Sequence, residues 1–242
     1  MFQDTNQFLC PTNGDTVNQA DRPLGLKLAA ASRRAKALET LSAAFLVDAK
    51  DFFTGFHPKK PVPPPDAPDA LPSWKALRKL ALTTCFFDSS GTCSKMRNLL
   101  IAAGRAVAYM PQLEAMEIWN GGDKDAVVFQ YAKQDGRHRL TWLSRPLRRI
   151  RLYIMQPEVV WTWTESLRIP YGTLDVKLSA IRRNWDDVTT YYGAMKELEM
   201  GHVVVDEMSR YQLAWEARER VLERQKLEEE NARNMQAEGN AE

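Results

Sequence analysis

The chain has 242 residues, 44% of them apolar, and a formal net charge of +2. That is enough apolar material for one large core or two small ones, and a charge too balanced to imply by itself a nucleic-acid or membrane partner. The three cysteines, Cys10, Cys85 and Cys93, have neither the paired spacing of a disulfide framework nor that of a zinc half-site, and no apolar run approaches the ~20 residues of a membrane span.

Residues 1–22 are polar and rich in Asn, Asp, Thr and Gln, so a poorly ordered N-terminus is expected. A secretory signal would need a basic region followed by an apolar core, and neither is present. A cytoplasmic or nuclear location is therefore the expectation. Leu24 to Lys36 suits a helix, with Arg33, Arg34 and Lys36 in the last turns where cations are favoured. Leu38 to Ala43 reads as a strand and Val47 to Phe53 as a short helical turn. His57 to Pro72 carries prolines at 58, 61, 63, 64, 65, 68 and 72 and reads as an extended surface loop. The Pro61-x-x-Pro64 spacing within it is a weak signal for a proline-recognition ligand.

Leu77 to Leu82 is the next predicted strand, followed by an amphipathic helix over Thr92 to Tyr109 with Met96, Leu99, Leu100, Ala103 and Val107 on one side. Cys85 reads as a small buried residue. Met110 to Trp142 is the most informative stretch. A strand with Leu113, Met116 and Ile118 runs to Asn120-Gly121-Gly122, read as a turn, and a hairpin follows. Asp135-Gly136 suits the positive φ of a type I′ turn, which sets Tyr131 against Leu140 and Phe129 against Trp142 on an apolar face. Ala132/Arg139, Gln130/Thr141 and Val128/Leu143 fall on the other face. Pro157 to Leu167 reads as a helix with proline in its first turn. Leu167 to Val176 is a strand interrupted near Pro170-Tyr171-Gly172, Leu178 to Tyr192 a helix, and Met195 to Met200 a last strand. Asp206 to Gln236 has no Gly or Pro and is read as a helix on which Met208, Tyr211, Trp215 and Leu222 dock against the preceding domain. Its apolar residues thin out beyond Leu227, short of a sustained coiled-coil heptad.

Self-similarity organises these elements. Hexamers of the type L-x-x-L-x-L start at Leu38, Leu77, Leu113 and Met195, separated by 39, 36 and 82 residues, the last close to two periods. Helix candidates precede three of them. At Leu77 the ninth position is Cys85, a residue type common there in leucine-rich repeats. Strand–helix units of this kind leave apolar edges that only a neighbour covers, so they stack with parallel strands. The expected fold is therefore α/β: an irregular leucine-rich-repeat-like solenoid over 23–205 with parallel strands, an inserted β-hairpin, a proline-rich loop at 57–73, and a charged helix and tail at 206–242.

Catalytic patterns are missing. His57, His138 and His202 form no metal or nucleophile motif, Gly121-Gly122 belongs to no phosphate-binding fingerprint, and Asp186-Asp187 diverge on a helix. No cofactor, metal site or catalytic residue is expected. Two binding readings remain. In the first, Trp119, Asn120, Arg137 and Arg139 contact a protein partner. In the second, the basic 133–151 stretch (Lys133, Arg137, Arg139, Arg145, Arg148, Arg149, Arg151) meets nucleic acid.

Several segments, LKLAAASRRAKALETLSAAFLVDAKDFF, MPQLEAMEIWNGGDKDAVVFQYAK, RLTWLS and YYGAMKELEM, together resemble an uncharacterised fungal domain family. That family forms the C-terminal, leucine-rich-repeat-like part of F-box-type proteins. The likeness covers Leu24 to Trp215 and rests most on Met116 to Gly122 and the Phe129/Tyr131 strand. It implies no catalytic residues. It implies instead the substrate-binding part of a ubiquitin ligase adaptor, although no F-box helix pattern is recognisable here.

Overall fold

A computed structural model describes residues 22–44, 46–66, 73–87, 92–122, 125–145, 156–180, 195 and 207–239. A single six-stranded sheet organises them, in the spatial order of the sequence: β1 (Thr40–Ser42), β2 (Lys79–Thr83), β3 (Ala115–Gly122), β4 (Asp125–Gln134), β5 (Arg137–Arg145) and β6 (Asp175–Ala180). The helices are α1 (Arg22–Arg34), α2 (Ala49–Phe52), α3 (Cys93–Val107), α4 (Pro157–Leu167) and α5 (Glu207–Gly239), with 3-10 turns at Thr54–Phe56 and Cys85–Phe87.

The three repeat hexamers within the described residues enter the sheet alike. Each strand starts two residues after its leading leucine, and Leu41, Leu80 and Met116 are lateral neighbours in parallel register. The fourth hexamer lies outside the described residues apart from Met195, which is helical and buried. The sheet is mostly but not wholly parallel. β4 alone is reversed, pairing antiparallel with both β3 and β5, and β5 pairs parallel with β6. The hairpin is thus two interior strands of the sheet, not an insertion beside a solenoid. Its register matches the expected one, Tyr131 opposite Leu140 and Phe129 opposite Trp142, and Asp135 and Gly136 take φ of 50° and 74°.

Two expectations are corrected by the ladders. Asn120-Gly121-Gly122 is no turn. These residues continue β3 opposite Val127, Ala126 and Asp125, because glycine in a strand is permitted where a partner strand supplies the hydrogen bonds. Leu178 to Ala180 ends β6 and starts no helix, for Leu178 is paired with Trp142 and Ala180 with Ser144. Residues 181–192, including Asp186 and Asp187, lie outside the described residues.

One sheet face meets α3 and α4. Leu80, Leu82, Met116, Ile118, Phe129, Tyr131, Leu140 and Trp142 supply the strand side of this core. Trp163 of α4 is wedged at its centre, with ring centroids 5.3 Å from Phe129 and 5.4 Å from Tyr131. Its Nε1 donates to the Leu100 carbonyl of α3 at 3.0 Å. A second aromatic group closes the other end: Phe52 stacks on Trp74 at 5.7 Å, and Trp74 Nε1 donates to Ser32 Oγ at 2.8 Å. The proline-rich loop is fastened rather than free over its described part. Arg105 of α3 donates to the carbonyls of His57 and Lys60, and the Tyr109 hydroxyl donates to that of Pro63.

The carboxyl ends of β1 and β2 are joined through Asp48. Its carboxylate accepts from Lys50 N at 2.9 Å, Thr84 Oγ1 at 2.9 Å and Cys85 N at 3.0 Å, capping α2 while holding the turn after β2. Cys85 is half-buried there rather than fully buried, its Sγ 3.6 Å from Lys50 Nζ. The docking expected of the C-terminal helix is also corrected: Tyr211, Trp215 and Leu222 are 73%, 58% and 52% exposed. The side chain of Met208 lies outside the described residues.

At Gly104 of α3 the two helices approach closely, since a Cβ there would lie 2.8 Å from the Trp163 indole. Gly104→Ala is expected to cost about 1–3 kcal/mol by overpacking a rigid ring. Urea unfolding checks this, and the penalty should shrink when Trp163 is replaced by Leu. An equal penalty in both backgrounds counts against the contact.

Candidate functional site

The strand face turned away from α3 and α4 carries the polar residues of the sheet. Ser42, Ala81, Glu117, Gln130, Thr141 and Lys177 stand side by side across all six strands. Beside them run Thr40, Lys79, Ala115, Ala132, Arg139 and Asp175 on one side, and Thr83, Trp119, Val128, Leu143 and Ser179 on the other. Alternation along the strands puts them there, because neighbours in sequence point to opposite faces.

Trp119 and Asn120 do not form the expected anchor. Trp119 has 0% exposure and offers no surface to a partner. Its large ring is instead part of the buried end of this face, with Val128 opposite it across the ladder. Asn120 is half-buried on the other face, its Oδ1 accepting from Gly121 N at 3.0 Å. Arg137 and Arg139 are exposed near the hairpin tip, and Arg139 Nε bonds Asp175 Oδ2 at 2.6 Å. Together with Gln134, His138 and Thr173 they border a cavity of about 600 Å3. The four residues therefore do not converge: the arginines share one end of β5, while Trp119 sits inside. Of the basic stretch, Arg148, Arg149 and Arg151 lie outside the described residues, as does the side chain of Arg145.

Next to the arginines, the Tyr131 hydroxyl lies 2.9 Å from His138 Nδ1. Burial raises the Tyr131 pKa, and burial followed by Lys133 lowers that of His138. A protonated phenol thus faces a neutral imidazole at neutral pH. Among the described residues no group of three or more His, Cys, Asp or Glu side chains is placed to hold a metal ion. No described helix is long and apolar enough to cross a membrane.

Glu117 is the residue that sequence reasoning missed. It is 2% exposed, its Oε1 accepts from Gln130 Nε2 at 3.1 Å, and Oε2 has no hydrogen-bond partner among the described residues. Burial raises its pKa from 4.5 to about 7, the Gln130 bond offsetting part of the effect. A glutamate in an alternating strand reads as solvent-facing, so only the low exposure reveals it.

This carboxyl makes stability depend on pH. The folded state keeps the proton that the unfolded chain gives up, so stability falls as pH rises from about 4.5 and levels off above about 7. At about 1.4 kcal/mol per pH unit the loss is about 3 kcal/mol. Glu117→Gln keeps the oxygen that Gln130 bonds and removes the charge. It is expected to be about 1–3 kcal/mol more stable than the parent at pH 8 and no more stable at pH 4.5, as read by urea unfolding across that range. Parallel profiles for the two proteins would refute the buried charge.

A family model described as a family of unknown function (DUF6546) matches residues 1–206. Among solved structures, the central domain of the uncharacterized Lpg1148 protein from Legionella pneumophila is similar at 14% identity and a TM-score of 0.32, over 71% of this chain and 82% of that one. No curated protein matches. Because the family match spans most of the chain, the protein belongs to the family of unknown function DUF6546.

Proposed function

We propose that this protein is a non-enzymatic protein-recognition module, a leucine-rich-repeat-like domain that serves as the substrate-binding part of an F-box-type ubiquitin ligase adaptor. The register of β1, β2 and β3 is the observation that carries the repeat reading: three hexamers, 39 and 36 residues apart, enter one sheet at the same position. Repeats stacked this way keep their helices on one side and leave the rim of the sheet for a partner, the middle of the opposite strand face being buried here at Ala81, Glu117, Trp119 and Val128. The exposed rim is the tip of the β4–β5 hairpin with Arg137 and Arg139, and arginine is a residue type enriched where interfaces gain their affinity.

The test is proximity labelling in the native host, then titration of each recovered protein against the purified chain. A direct complex is expected, weakened about tenfold or more by the double change Arg137→Glu and Arg139→Glu. The unfolding free energy should change by less than about 1 kcal/mol, since Arg139 and Asp175 form a half-exposed pair. Absence of any direct binder, or a binder indifferent to both arginines, overturns the reading. Failure of a purified ligase adaptor to bind the native full-length protein removes the ligase assignment alone. Oligonucleotide binding at low salt that falls steeply with added salt would favour a nucleic-acid partner instead.

A further inference from the structure

A cavity of about 380 Å3 opens where the chain leaves the carboxyl ends of β1 and β2, far in sequence from the hairpin arginines. Its size falls within the roughly 300–1,000 Å3 of small-molecule sites. Three lysines line it: Lys50 at α2, Lys60 from the proline-rich loop and Lys95 in the first turn of α3. Lys50 and Lys95 approach the same ring, their Nζ atoms 5.3 and 5.7 Å from the Phe86 centroid.

The charges around this cavity do not balance. Lys50 is engaged, with Nζ 3.6 Å from Asp48 Oδ2 and 3.6 Å from Cys85 Sγ. Burial alone would lower its pKa, but Asp48, Cys85 and Asp51 outweigh it and hold the ammonium above the usual lysine value. Among the described residues of the wall, Asp51 is the one carboxylate. Lys60 and Lys95 are exposed, and among the described residues neither has a carboxylate in ion-pair range. His57 supplies no anion, and burial, then Lys59, Lys60 and Arg105, lower its pKa. Two uncompensated ammonium groups therefore border one hollow, beside the Asn98 amide. Apart from Thr54, the rest of the wall is apolar, with Leu26, Phe53 and Leu99.

We infer that this cavity binds a small organic phosphate monoester, with the phosphate between Lys60, Lys95 and Asn98 and the organic group against Phe53, Phe86 and Leu99. A phosphate monoester carries close to two negative charges at neutral pH and several acceptor oxygens, which matches two free ammonium groups better than one carboxylate does. The apolar wall gives the organic portion its place.

Titration calorimetry on the full chain with phenyl phosphate, inorganic phosphate and benzoate tests this. Phenyl phosphate is expected to bind saturably, more tightly than inorganic phosphate or benzoate. The double variant Lys60→Gln/Lys95→Gln should weaken it by more than about tenfold. Both lysines are exposed, so the variant's unchanged circular dichroism and unfolding midpoint serve as the control on folding. No saturable binding up to about 10 mM, equal affinity for benzoate, or affinity unchanged in the double variant overturns the proposal. Tighter binding of a phosphotyrosine peptide than of phenyl phosphate overturns the small-molecule assignment.

Discussion

Strand β3 has to satisfy two hydrogen-bonding geometries at once. Along one edge it accepts the slanted bonds of a parallel neighbour, with Leu80 beside Met116 and Leu82 beside Ile118. Along the other it meets β4 head to tail, Ile118 against Phe129 and Gly122 against Asp125. The chain's direction is reversed there and restored by β5. As a result β2 to β3 and β5 to β6 step across the sheet in the same sense, between strands that point the same way. The two crossovers bring α3 and α4 to the same face. Trp163, Phe129, Tyr131 and the bare backbone at Gly104 are the packing that this arrangement makes possible.

Two buried carboxylates show opposite ways of treating charge. Asp48 has three donors within 3.0 Å and the Lys50 ammonium at 3.6 Å, so its burial ties two strand ends together. Glu117 has one donor, from Gln130, and stays buried at a cost that grows as it ionises. The first is a joint of the fold. The second is a place where stability is given up, on the face that lies opposite the helices.

The hairpin was legible because its information is local: Asp135-Gly136 sets the turn, and alternation from Phe129 to Trp142 sets the faces. The parallel strands were legible through recurrence, since the same hexamer must enter the same sheet at the same height. Asn120-Gly121-Gly122 misled for the matching reason. Its turn chemistry is local, whereas its place in β3 depends on Ala126 and Val127 across the ladder. Trp119 was misjudged and Glu117 missed because alternation tells which face a residue takes and nothing about what covers that face. The lysine-lined cavity was invisible, for Lys50, Lys60 and Lys95 are unremarkable singly and meet only after β1 and β2 have paired.

The helix α5 spans 33 residues, about 50 Å at 1.5 Å per residue, with Tyr211, Trp215, Leu222, Leu227 and Met235 all left in solvent. A rod of that kind acts as a ruler. Its axial rise sets Gly239 half a hundred ångströms from Glu207, and a break at mid-length would shorten that spacing without disturbing the sheet.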